Sequence, residues 1–361
     1  MKVIIAGGGT GGHLFPAVAV GEELKRQSPA NEILYVGASN GLEARWLPRH
    51  GLPHELLQVR GWTGKGQLTR MRALGEFAAA VGHAWRLIRR AGADLVVGAG
   101  GYASAPVAVA AILTRTPLVL LEQNTRPGLA NRLLWRFAKK ICVGFAESTA
   151  DFAPGKVAVT GNPVRFESRP EAHLGHSGPL QILVLGGSSG AHRLNIGVLK
   201  AFQISAKGVI KFDLIHQTGE MDAKAIAEGY GRLGWSAQVT PFIDDMAAAL
   251  ASADLVIARS GAMTVSEMAL AGRPAVFVPY PFHRDRQQEL NARVLERLGA
   301  ARIVRDDEQL GENLAKVLLE LTADRAALAA MGQRAAAAAM PRAAQAIAQI
   351  CVKAAQAGRS A

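Results

Sequence analysis

The sequence predicts an α/β protein made of two doubly wound domains, each a parallel sheet with helices on both faces. The chain has 361 residues, too many for one ordinary core and suited to two domains of roughly 150 to 200 residues. Apolar strand-like runs alternate with longer helical patterns, which is typical of parallel sheets. Three strand-and-turn segments of the first half also recur, in the same order, in the second half.

The recurring segments define the domain organisation. They are VIIAGGGTGG with ILVLGGSSGA, DLVVGAGG with DLVIARSG, and TPLVLLEQN with RPAVFVPYP. We place the linker in the polar stretch Phe166–Pro179, which follows TGNPVR. The predicted domains are residues 1–165 and 166–341, and a closing helix over residues 342–361 is free to pack back on the first. Two such domains facing each other leave a cleft at the carboxyl ends of their strands, where ligands bind.

Composition excludes several classes of protein. The fractions of hydrophobic residues, 49%, and of charged residues, 19%, are typical of globular proteins. Cys142 and Cys351 are isolated, which argues against a disulfide framework or zinc site and fits a reducing cytoplasm. The first strand begins at Lys2, so we expect no signal peptide. The uncharged run 95–113 is interrupted by glycines and Pro106, and predicts a buried strand, a glycine turn and a helix.

The glycine-rich turn GGGTGGH, residues 7–13, follows a strand and precedes a helix. Its GxGxxG spacing alone indicates a dinucleotide-binding fold. An NAD-dependent oxidoreductase also needs a carboxylate at the end of the second strand, where this chain has Gly37, Ala38 and Ser39. The N–H groups of such a helix start suit an anion such as a diphosphate. The alternative is that the glycines only allow a tight turn and close helix packing.

Two turns of the second half point to a nucleotide sugar. In GGSSGA, residues 186–191, Ser188 offers a hydroxyl to a phosphate oxygen. In RSGAMTVSE, residues 259–267, helix N–H groups lie beside Thr264, and Glu267 lies about one turn further along, where it can accept from ribose hydroxyls. The alternative is an ordinary helix start with Ser260 as N-cap and a solvated Glu267.

The loop FHRDRQQ, residues 282–288, is the third polar turn of the second half. Gln287 and Gln288 can donate and accept at once, which suits sugar hydroxyls, although adjacent glutamines are also common on exposed helices. No DxD triplet occurs in the sequence, so we predict no metal and no cofactor. Helix termini and cations such as Arg165 would then offset the charge of a leaving diphosphate.

Taken together, the motifs resemble those of the bacterial N-acetylglucosaminyltransferases of peptidoglycan synthesis, which use UDP-N-acetylglucosamine and lipid I. The matching segments are GGGTGGH (7–13), GGYASAP (100–106), LEQN (121–124), GNPVR (161–165), GGSSGA (186–191), FIDDMAAA (242–249), RSGAMTVSE (259–267) and DRQQ (285–288). The resemblance implies a GT-B fold. It also implies a metal-independent, inverting transfer of N-acetylglucosamine to the C4 hydroxyl of a polyprenyl-diphosphate-linked muramoyl peptide, which forms lipid II.

The resemblance further implies which residues bind each substrate, with the donor in the second domain and the acceptor met by the first. For the UDP-N-acetylglucosamine donor, the implied residues are Asn124, Arg165, Ser188, Ile243 (uracil), Ala262, Met263, Thr264, Glu267 (ribose), Gln287 and Gln288. For the acceptor and its diphosphate, they are Thr10, Gly11, Gly12 and Tyr102. The chain departs from the family pattern at Ser189, where glutamine is common, and at Leu121, where histidine is more frequent.

An inverting transfer needs a base that takes the proton from the acceptor hydroxyl. His13 is the predicted base because its ordinary pKa suits neutral pH and it lies in the turn nearest the expected diphosphate. Glu122 is the second candidate. The alternative for His13 is that it only binds acceptor phosphate or packs the turn.

The formal net charge of +12 is concentrated in the first half. Residues 1–165 hold 20 Lys and Arg against 10 Asp and Glu, whereas residues 166–361 hold 21 against 19. Trp62, Trp85 and Trp135 lie among these basic residues, a composition that suits a lipid headgroup interface. We therefore predict peripheral binding to an anionic membrane surface, and the resemblance, with its lipid-linked acceptor, implies that this is the cytoplasmic face of the inner membrane. Nucleic acid is not predicted as a partner because no nucleic-acid-binding motif accompanies the charge; solvated helix faces with buried tryptophans are the other alternative.

Three other functions stay open from the sequence alone: a nicotinamide oxidoreductase, a related transferase with another lipid acceptor, and a non-catalytic membrane scaffold. The missing ribose carboxylate counts against the oxidoreductase. A scaffold would have no need of Glu267 and Gln288 in matching turns.

Overall fold

A computed structural model describes residues 1–59, 67–164, 166, 178–187, 190–205, 212–283 and 285–359, with the backbone alone at 67–72 and 359. The chain divides into two compact units. The first unit combines Met1–Arg165 with Arg342–Ala361, and the second is Phe166–Pro341.

The first unit contains a seven-stranded parallel sheet. Its strands are β1 (Lys2–Ala6), β2 (Glu32–Ala38), β3 (His54–Leu57), β4 (Leu95–Gly98), β5 (Leu118–Glu122), β6 (Lys140–Val143) and β7 (Val157–Val159). Its helices up to the linker are α1 (Gly11–Gln27), α2 (Glu43–Arg49), α3 (Gln67–Ala91), α4 (Ser104–Thr114) and α5 (Leu129–Leu134), with 3₁₀ turns at Trp135–Phe137 and Ala146–Asp151. The strand order is β3-β2-β1-β4-β5-β6-β7, so the order reverses between β1 and β4.

The second unit repeats this plan with a six-stranded parallel sheet. Its strands are β8 (Leu180–Leu185), β9 (Phe212–Gln217), β10 (Ala237–Thr240), β11 (Leu255–Ala258), β12 (Ala275–Phe277) and β13 (Ala301–Ile303). Its helices are α6 (His192–Ser205), α7 (Ala223–Arg232), α8 (Met246–Ser252), α9 (Ala262–Ala271), α10 (Gln287–Arg297), α11 (Leu310–Thr322) and α12 (Arg325–Ala337). The order is β10-β9-β8-β11-β12-β13, so β8, β11 and β12 hold the positions of β1, β4 and β5. The predicted duplication and the α/β class are confirmed.

The sheets form because their strands are apolar on both faces. In β1, Val3, Ile4 and Ile5 are all buried. Successive side chains of a strand point to opposite faces, and accordingly Ile4 joins one core cluster while Val3 and Ile5 join another. The register is parallel, with Ile4 beside Leu34 of β2 and Val96 of β4. This burial explains why these strands are continuous apolar runs rather than alternating ones.

The last helix, α13 (Ala343–Arg359), follows Pro341 and belongs to the first unit. Its Ile347 and Cys351 are buried in the same cluster as Cys142 of β6. Both thiols are free, and burial raises the pKa of Cys142 to about 12. The predicted strand, glycine turn and helix of residues 95–113 are observed as β4, a turn and α4. Within the described residues, none of the helices combines the length and the apolar character needed to cross a membrane.

Candidate functional site

The turns that follow β1 and β4 lie against each other at the point where the strand order reverses. The Ala99 N–H donates to the carbonyl of Ala6 at 2.7 Å. A Cβ atom added to Gly101 would lie 2.0 Å from the Gly8 carbonyl oxygen, and one added to Gly9 would lie 2.7 Å from Cε1 of Tyr102. Tyr102 is therefore placed over the glycine turn, as part of the first unit's site.

His13 lies in the first turn of α1, under the glycines of the β4 turn. A Cβ atom on Gly100 would lie 2.6 Å from His13 Nδ1, and one on Gly101 would lie 3.2 Å from its Cδ2. Both glycines have positive φ angles, 90° and 78°. His13 Nδ1 is buried and has no hydrogen-bond partner among the described residues. The ring therefore fits only because two side chains are absent above it.

Burial of the ring lowers the pKa of His13 from its ordinary value of 6.5. The negative charges of Glu122 and Glu43 and the polar groups of Gln123 and Ala99 oppose this shift without cancelling it. At neutral pH the imidazole is therefore uncharged, which is the state in which it can accept a proton.

Glu122 ends β5 and is buried, with both carboxylate oxygens hydrogen-bonded. Oε1 accepts from the Asn124 N–H at 2.9 Å and from Asn124 Nδ2 at 3.3 Å. Oε2 accepts from the Gly128 N–H and from Asn131 Nδ2, each at 2.9 Å. Glu122 thus organises the loop that carries Asn124.

The start of α1 presents backbone donors. Thr10 precedes the helix in an extended conformation, its exposed side chain makes no capping hydrogen bond, and the first turn has no acidic residue. The Gly9 N–H is committed to the carboxylate of Glu43 at 2.9 Å. Among the residues that the structure describes, no acceptor meets the N–H groups of Thr10, Gly11 or Gly12. These are the positions where a helix start binds an anion.

Glu43 is a buried residue beside the glycine turn that the sequence reasoning missed. It begins α2, and its carboxylate returns to the end of β2, where Oε1 accepts from the Ala38 N–H at 2.7 Å. A carboxylate therefore does lie near the β2 end, but it is fully buried and its oxygens are used by the N–H groups of Ala38 and Gly9. It is unavailable to a ribose, which still counts against a dinucleotide site. The acidic residue in GASNGLE, shortly after the strand, is the signal that could have found it.

In the second unit, the turn after β11 starts α9. Gly261 is the N-cap and no side chain caps the helix. Glu267 is 4% exposed, and the Ser260 hydroxyl is buried without a hydrogen-bond partner among the described residues. The alternative of a Ser260 N-cap with a solvated Glu267 is therefore wrong. Ala262, Met263 and Thr264 form the open first turn of this helix.

The glycine turn after β8 is fixed by Gln217, another residue that the sequence reasoning missed. Its Oε1 accepts from the Gly187 N–H at 3.1 Å, and its Nε2 donates to the carbonyls of Gly187 at 2.9 Å and Pro241 at 3.0 Å. Because Pro241 leads directly to Ile243, one side chain joins the glycine turn to the segment that carries Ile243. Ser188 and Ser189 lie outside the described residues.

The loop after β12 places Gln287 and Gln288 at the start of α10. Gln288 Oε1 accepts from the Tyr280 N–H at 2.9 Å. Its amide therefore has a fixed orientation, with its N–H₂ group still able to donate.

A buried carboxylate holds two arginines beside these turns. Asp306 accepts from Arg193 Nε at 2.7 Å and pairs with Arg259 Nη2 at 2.8 Å. Arg259, the first residue of RSGAMTVSE, also donates to the Val278 carbonyl at 3.0 Å. Both arginines were passed over in the sequence reasoning because Asp306 is more than 40 positions away along the chain.

The predicted site residues thus form two groups, one in each unit, at the carboxyl ends of the sheets. The first group is Thr10, Gly11, Gly12, His13, Tyr102, Glu122 and Asn124. The second is Ile243, Ala262, Met263, Thr264, Glu267, Gln287 and Gln288. Asn124, predicted to bind the donor sugar, lies in the first unit. Arg165 lies outside the described residues. Across the described ranges, no group of three or more His, Cys, Asp or Glu is placed to hold a metal ion.

The first unit also exposes large apolar side chains among its cations. Leu129, Leu133 and Phe137 are 70%, 61% and 61% exposed, and Arg132 and Arg136 between them are exposed as well. Leu129 and Leu133, four residues apart in α5, lie on one side of that helix, and Phe137 follows in the 3₁₀ turn. We call Leu129–Phe137 the apolar-basic segment.

The tryptophans of this half differ from one another. Trp85 is exposed beneath the Arg89 guanidinium, 5.7 Å from its ring centre. Trp135 is half-buried and packs edge-on against Phe152. Trp62 lies outside the described residues. Phe137, rather than Trp135, is therefore the exposed aromatic of the apolar-basic segment.

Family models match most of the chain. Residues 3–143 match the glycosyltransferase family 28 N-terminal domain, and residues 181–347 match the glycosyltransferase family 28 C-terminal domain.

Curated relatives match over nearly the full length. A protein of Myxococcus xanthus is 40% identical over 98% of this chain and 92% of its own length. A protein of Geobacter sulfurreducens is 40% identical over 96% of this chain and 97% of its own. Both are named UDP-N-acetylglucosamine–N-acetylmuramyl-(pentapeptide) pyrophosphoryl-undecaprenol N-acetylglucosamine transferase.

Solved structures match as well. The crystal structure of Acinetobacter baumannii MurG is 32% identical, with a TM-score of 0.79 over 98% of this chain and 99% of the other. A UDP-GlcNAc 2-epimerase of Neisseria meningitidis, solved with UDP-GlcNAc bound, has a TM-score of 0.68 over 98% of this chain and all of the other, at 13% identity. The second likeness shows the fold alone.

Proposed function

Because the chain belongs to glycosyltransferase family 28, we propose that it transfers N-acetylglucosamine from UDP-N-acetylglucosamine to the C4 hydroxyl of a polyprenyl-diphosphate-linked N-acetylmuramoyl-pentapeptide. The observation that carries the proposal is that each unit has an open helix start at the carboxyl ends of its sheet, α1 after β1 in the first unit and α9 after β11 in the second. Each start suits an anionic group, and the two substrates named for the relatives both contain a diphosphate. The reaction is one step of peptidoglycan synthesis.

The second unit binds the donor in this proposal. The open N-terminus of α9 receives the diphosphate at Ala262, Met263 and Thr264. Glu267, held in a buried position on the same helix, accepts from the ribose hydroxyls.

Other residues complete the donor contacts in this proposal. The segment at Ile243 meets the uracil, and Ser188 and Arg165 contribute to the phosphates. The amide of Gln288, with its oxygen fixed by Tyr280, donates to a sugar hydroxyl, and Gln287 lies beside it.

The first unit binds the acceptor. The N–H groups of Thr10, Gly11 and Gly12 receive its diphosphate, and Tyr102 lies over the same turn. The neutral His13 imidazole takes the proton from the C4 hydroxyl as that oxygen attacks the anomeric carbon, so that UDP leaves and the configuration inverts. Glu122 holds the Asn124 loop and raises the basicity of His13 through its charge.

An assay with the full chain, radiolabelled UDP-N-acetylglucosamine and the lipid-linked muramoyl pentapeptide tests the reaction. We expect a radioactive lipid-linked disaccharide and release of UDP. Hydrolysis of the donor, or transfer only to a lipid diphosphate that lacks muramic acid, would exclude this acceptor and favour a related transferase.

The donor site yields a specific prediction for Glu267→Gln. The substitution keeps the shape of the buried side chain but removes the charge, and hydrogen bonds to a charged group contribute about 1.5–3 kcal/mol. We expect the KM for UDP-N-acetylglucosamine to rise roughly tenfold or more, while the KM for the acceptor is unchanged. Glu296→Gln, at an exposed position of the same unit, is the matched control. An unchanged donor KM in Glu267→Gln would remove Glu267 from the ribose site.

We also propose that the protein works at the anionic cytoplasmic face of the inner membrane, where its lipid-linked acceptor resides. The apolar-basic segment supplies the two contributions that peripheral binding needs, apolar side chains and cations.

The membrane proposal predicts binding to vesicles that contain anionic lipid, weakening as salt rises because salt screens the basic residues. Phe137→Ser should lower the partition coefficient about tenfold or more, since burying a large apolar side chain contributes about 1.5–3 kcal/mol. Met221→Ser, at a 97% exposed apolar position of the second unit, is the control and should bind normally. Vesicle cosedimentation measures the binding of both variants. Binding that depends neither on the salt concentration nor on the side chain at Phe137 would contradict the proposal.

A further inference from the structure

Glu43 is a fully buried carboxylate of the first unit that the mechanism above leaves without a role. Its Oε1 lies 2.7 Å from the Ala38 nitrogen, and both of its oxygens lie 2.9 Å from the Gly9 nitrogen. Burying a carboxylate is unfavourable unless hydrogen bonds compensate for lost water, and here backbone N–H groups do so. The hydrogen bonds tie the start of α2 and the end of β2 to the turn of residues 7–10, which we call the acceptor turn.

Three glycines from two segments of the chain make room for this carboxylate. A Cβ atom on Gly8 would lie 2.0 Å from Glu43 Oε1, one on Gly37 would lie 2.1 Å from its Cγ, and one on Gly41 would lie 2.3 Å from Oε1. Such distances are far inside van der Waals contact, so any side chain at these positions would displace Glu43. The packing is therefore built around the carboxylate rather than merely tolerating it.

The contact with Gly9 determines where the donors of the acceptor turn point. Gly9 has a φ of 96°. Glycine can adopt many other backbone conformations, and the hydrogen bond from the Gly9 N–H to Glu43 holds it in this one. Thr10 and the start of α1 follow directly. A shift of Gly9 would therefore move the N–H groups of Thr10, Gly11 and Gly12 together.

The charge of Glu43 also reaches the proposed base. Two carboxylates, Glu122 and Glu43, oppose the lowering of the His13 pKa that burial causes. The other titratable group at this turn is Tyr102, whose pKa is raised by burial and by Glu43.

We propose that Glu43 is a positioning residue, which acts through Gly9 to hold the acceptor turn in the shape that binds the acceptor diphosphate. This inference rests on the proposed function. It assigns Glu43 to acceptor binding and not to donor binding.

The test compares full-chain variants in the lipid-linked disaccharide assay. In Glu43→Gln, the amide N–H₂ faces the Gly9 N–H in either orientation, because both carboxylate oxygens accept from Gly9, so one hydrogen bond becomes a repulsion. We expect kcat/KM for the acceptor to fall about 10- to 100-fold, as for a displaced binding group, and the KM for UDP-N-acetylglucosamine to stay the same. The acid limb of the pH profile of kcat/KM should move to lower pH, because the lost charge lowers the pKa of His13 further.

Two further variants separate positioning from stability. Gly41→Ala lies outside the acceptor turn and keeps the charge, but its Cβ pushes the carboxylate off Gly9, so it should show the acceptor defect with little change in the pH profile. Glu32→Gln, at a 72% exposed side chain of β2, is the matched control and should match the unmodified protein. Circular dichroism and thermal unfolding establish that each variant is folded.

The outcomes are distinct. An unmodified protein without transferase activity would reject the proposed function itself. An active protein whose folded Glu43→Gln and Gly41→Ala variants keep their acceptor kcat/KM and pH profile would overturn the positioning role. Equal losses of kcat/KM for the donor and for the acceptor, accompanied by loss of folding, would show that Glu43 is only a structural residue. That result would overturn the positioning role as well.

Discussion

Replacing His13 with alanine should lower kcat by about 10²-fold or more when both substrates are saturating, which is the usual cost of removing a general base. The expectation rests on the position of the ring in the first turn of α1, under Gly100 and Gly101, and on its uncharged state at neutral pH. Single-turnover rates measured with preformed donor complex isolate the chemical step. His83→Ala, at an exposed position of α3, is the control and should retain kcat to within about twofold.

The same assignment predicts a pH dependence. Burial lowers the pKa of His13 below 6.5, and a base acts only in its neutral form, so activity should be complete at pH 7 and fall as pH drops through a value below 6.5. The acid limb should disappear in His13→Ala. A variant that keeps nearly full kcat but has a raised acceptor KM would instead show that His13 only binds the acceptor phosphate.

Gly101→Ala should be the most damaging small substitution in the first unit. The added Cβ would lie 2.0 Å from the Gly8 carbonyl oxygen, and the φ of 78° is strained for alanine. The backbone conformation and the overlap together should cost roughly 2 to 5 kcal/mol. Because the same carbon would press on the His13 ring at 3.2 Å, any folded fraction should also lose activity.

Gly82→Ala provides the matched comparison for this prediction. Gly82 lies inside α3, and a Cβ there would meet nothing within 4 Å. Alanine in a helix interior should stabilise the protein by about 0.5–1 kcal/mol. Denaturant unfolding of the two variants measures the difference, and equal midpoints would contradict the close packing of the β1 and β4 turns.

Much of the architecture was predictable because it is encoded locally. A strand, a glycine turn and a helix are contiguous in the chain, so β1 with α1 and β8 with α6 are visible as apolar runs followed by GGGTGG and GGSSGA. The position of Glu267 along α9 was also predictable, because its distance from the β11 turn places it about one helical turn from the N–H groups beside Thr264.

Other parts of the site depend on contacts between distant segments. Asp306 reaches Arg193 across 113 positions, and the clearance above His13 comes from glycines nearly 90 positions away. Trp135 lies among cations in the sequence, and in the structure it packs between Phe152 and the Arg136 guanidinium, which lies 4.9 Å from its ring centre. No local pattern distinguishes such a residue from an exposed one.

The sequence by itself determined that this protein has two duplicated α/β halves with open, glycine-rich helix starts, because strand and helix periodicity and turn chemistry act between near neighbours. Only the tertiary structure decided how each turn is held. Glu43 supports the first glycine turn, Gln217 supports the second, and burial makes His13 a neutral imidazole. These effects depend on which side chains are buried together and on which backbone N–H groups they bind. Both depend on contacts between distant segments, which form only when the strands assemble into sheets.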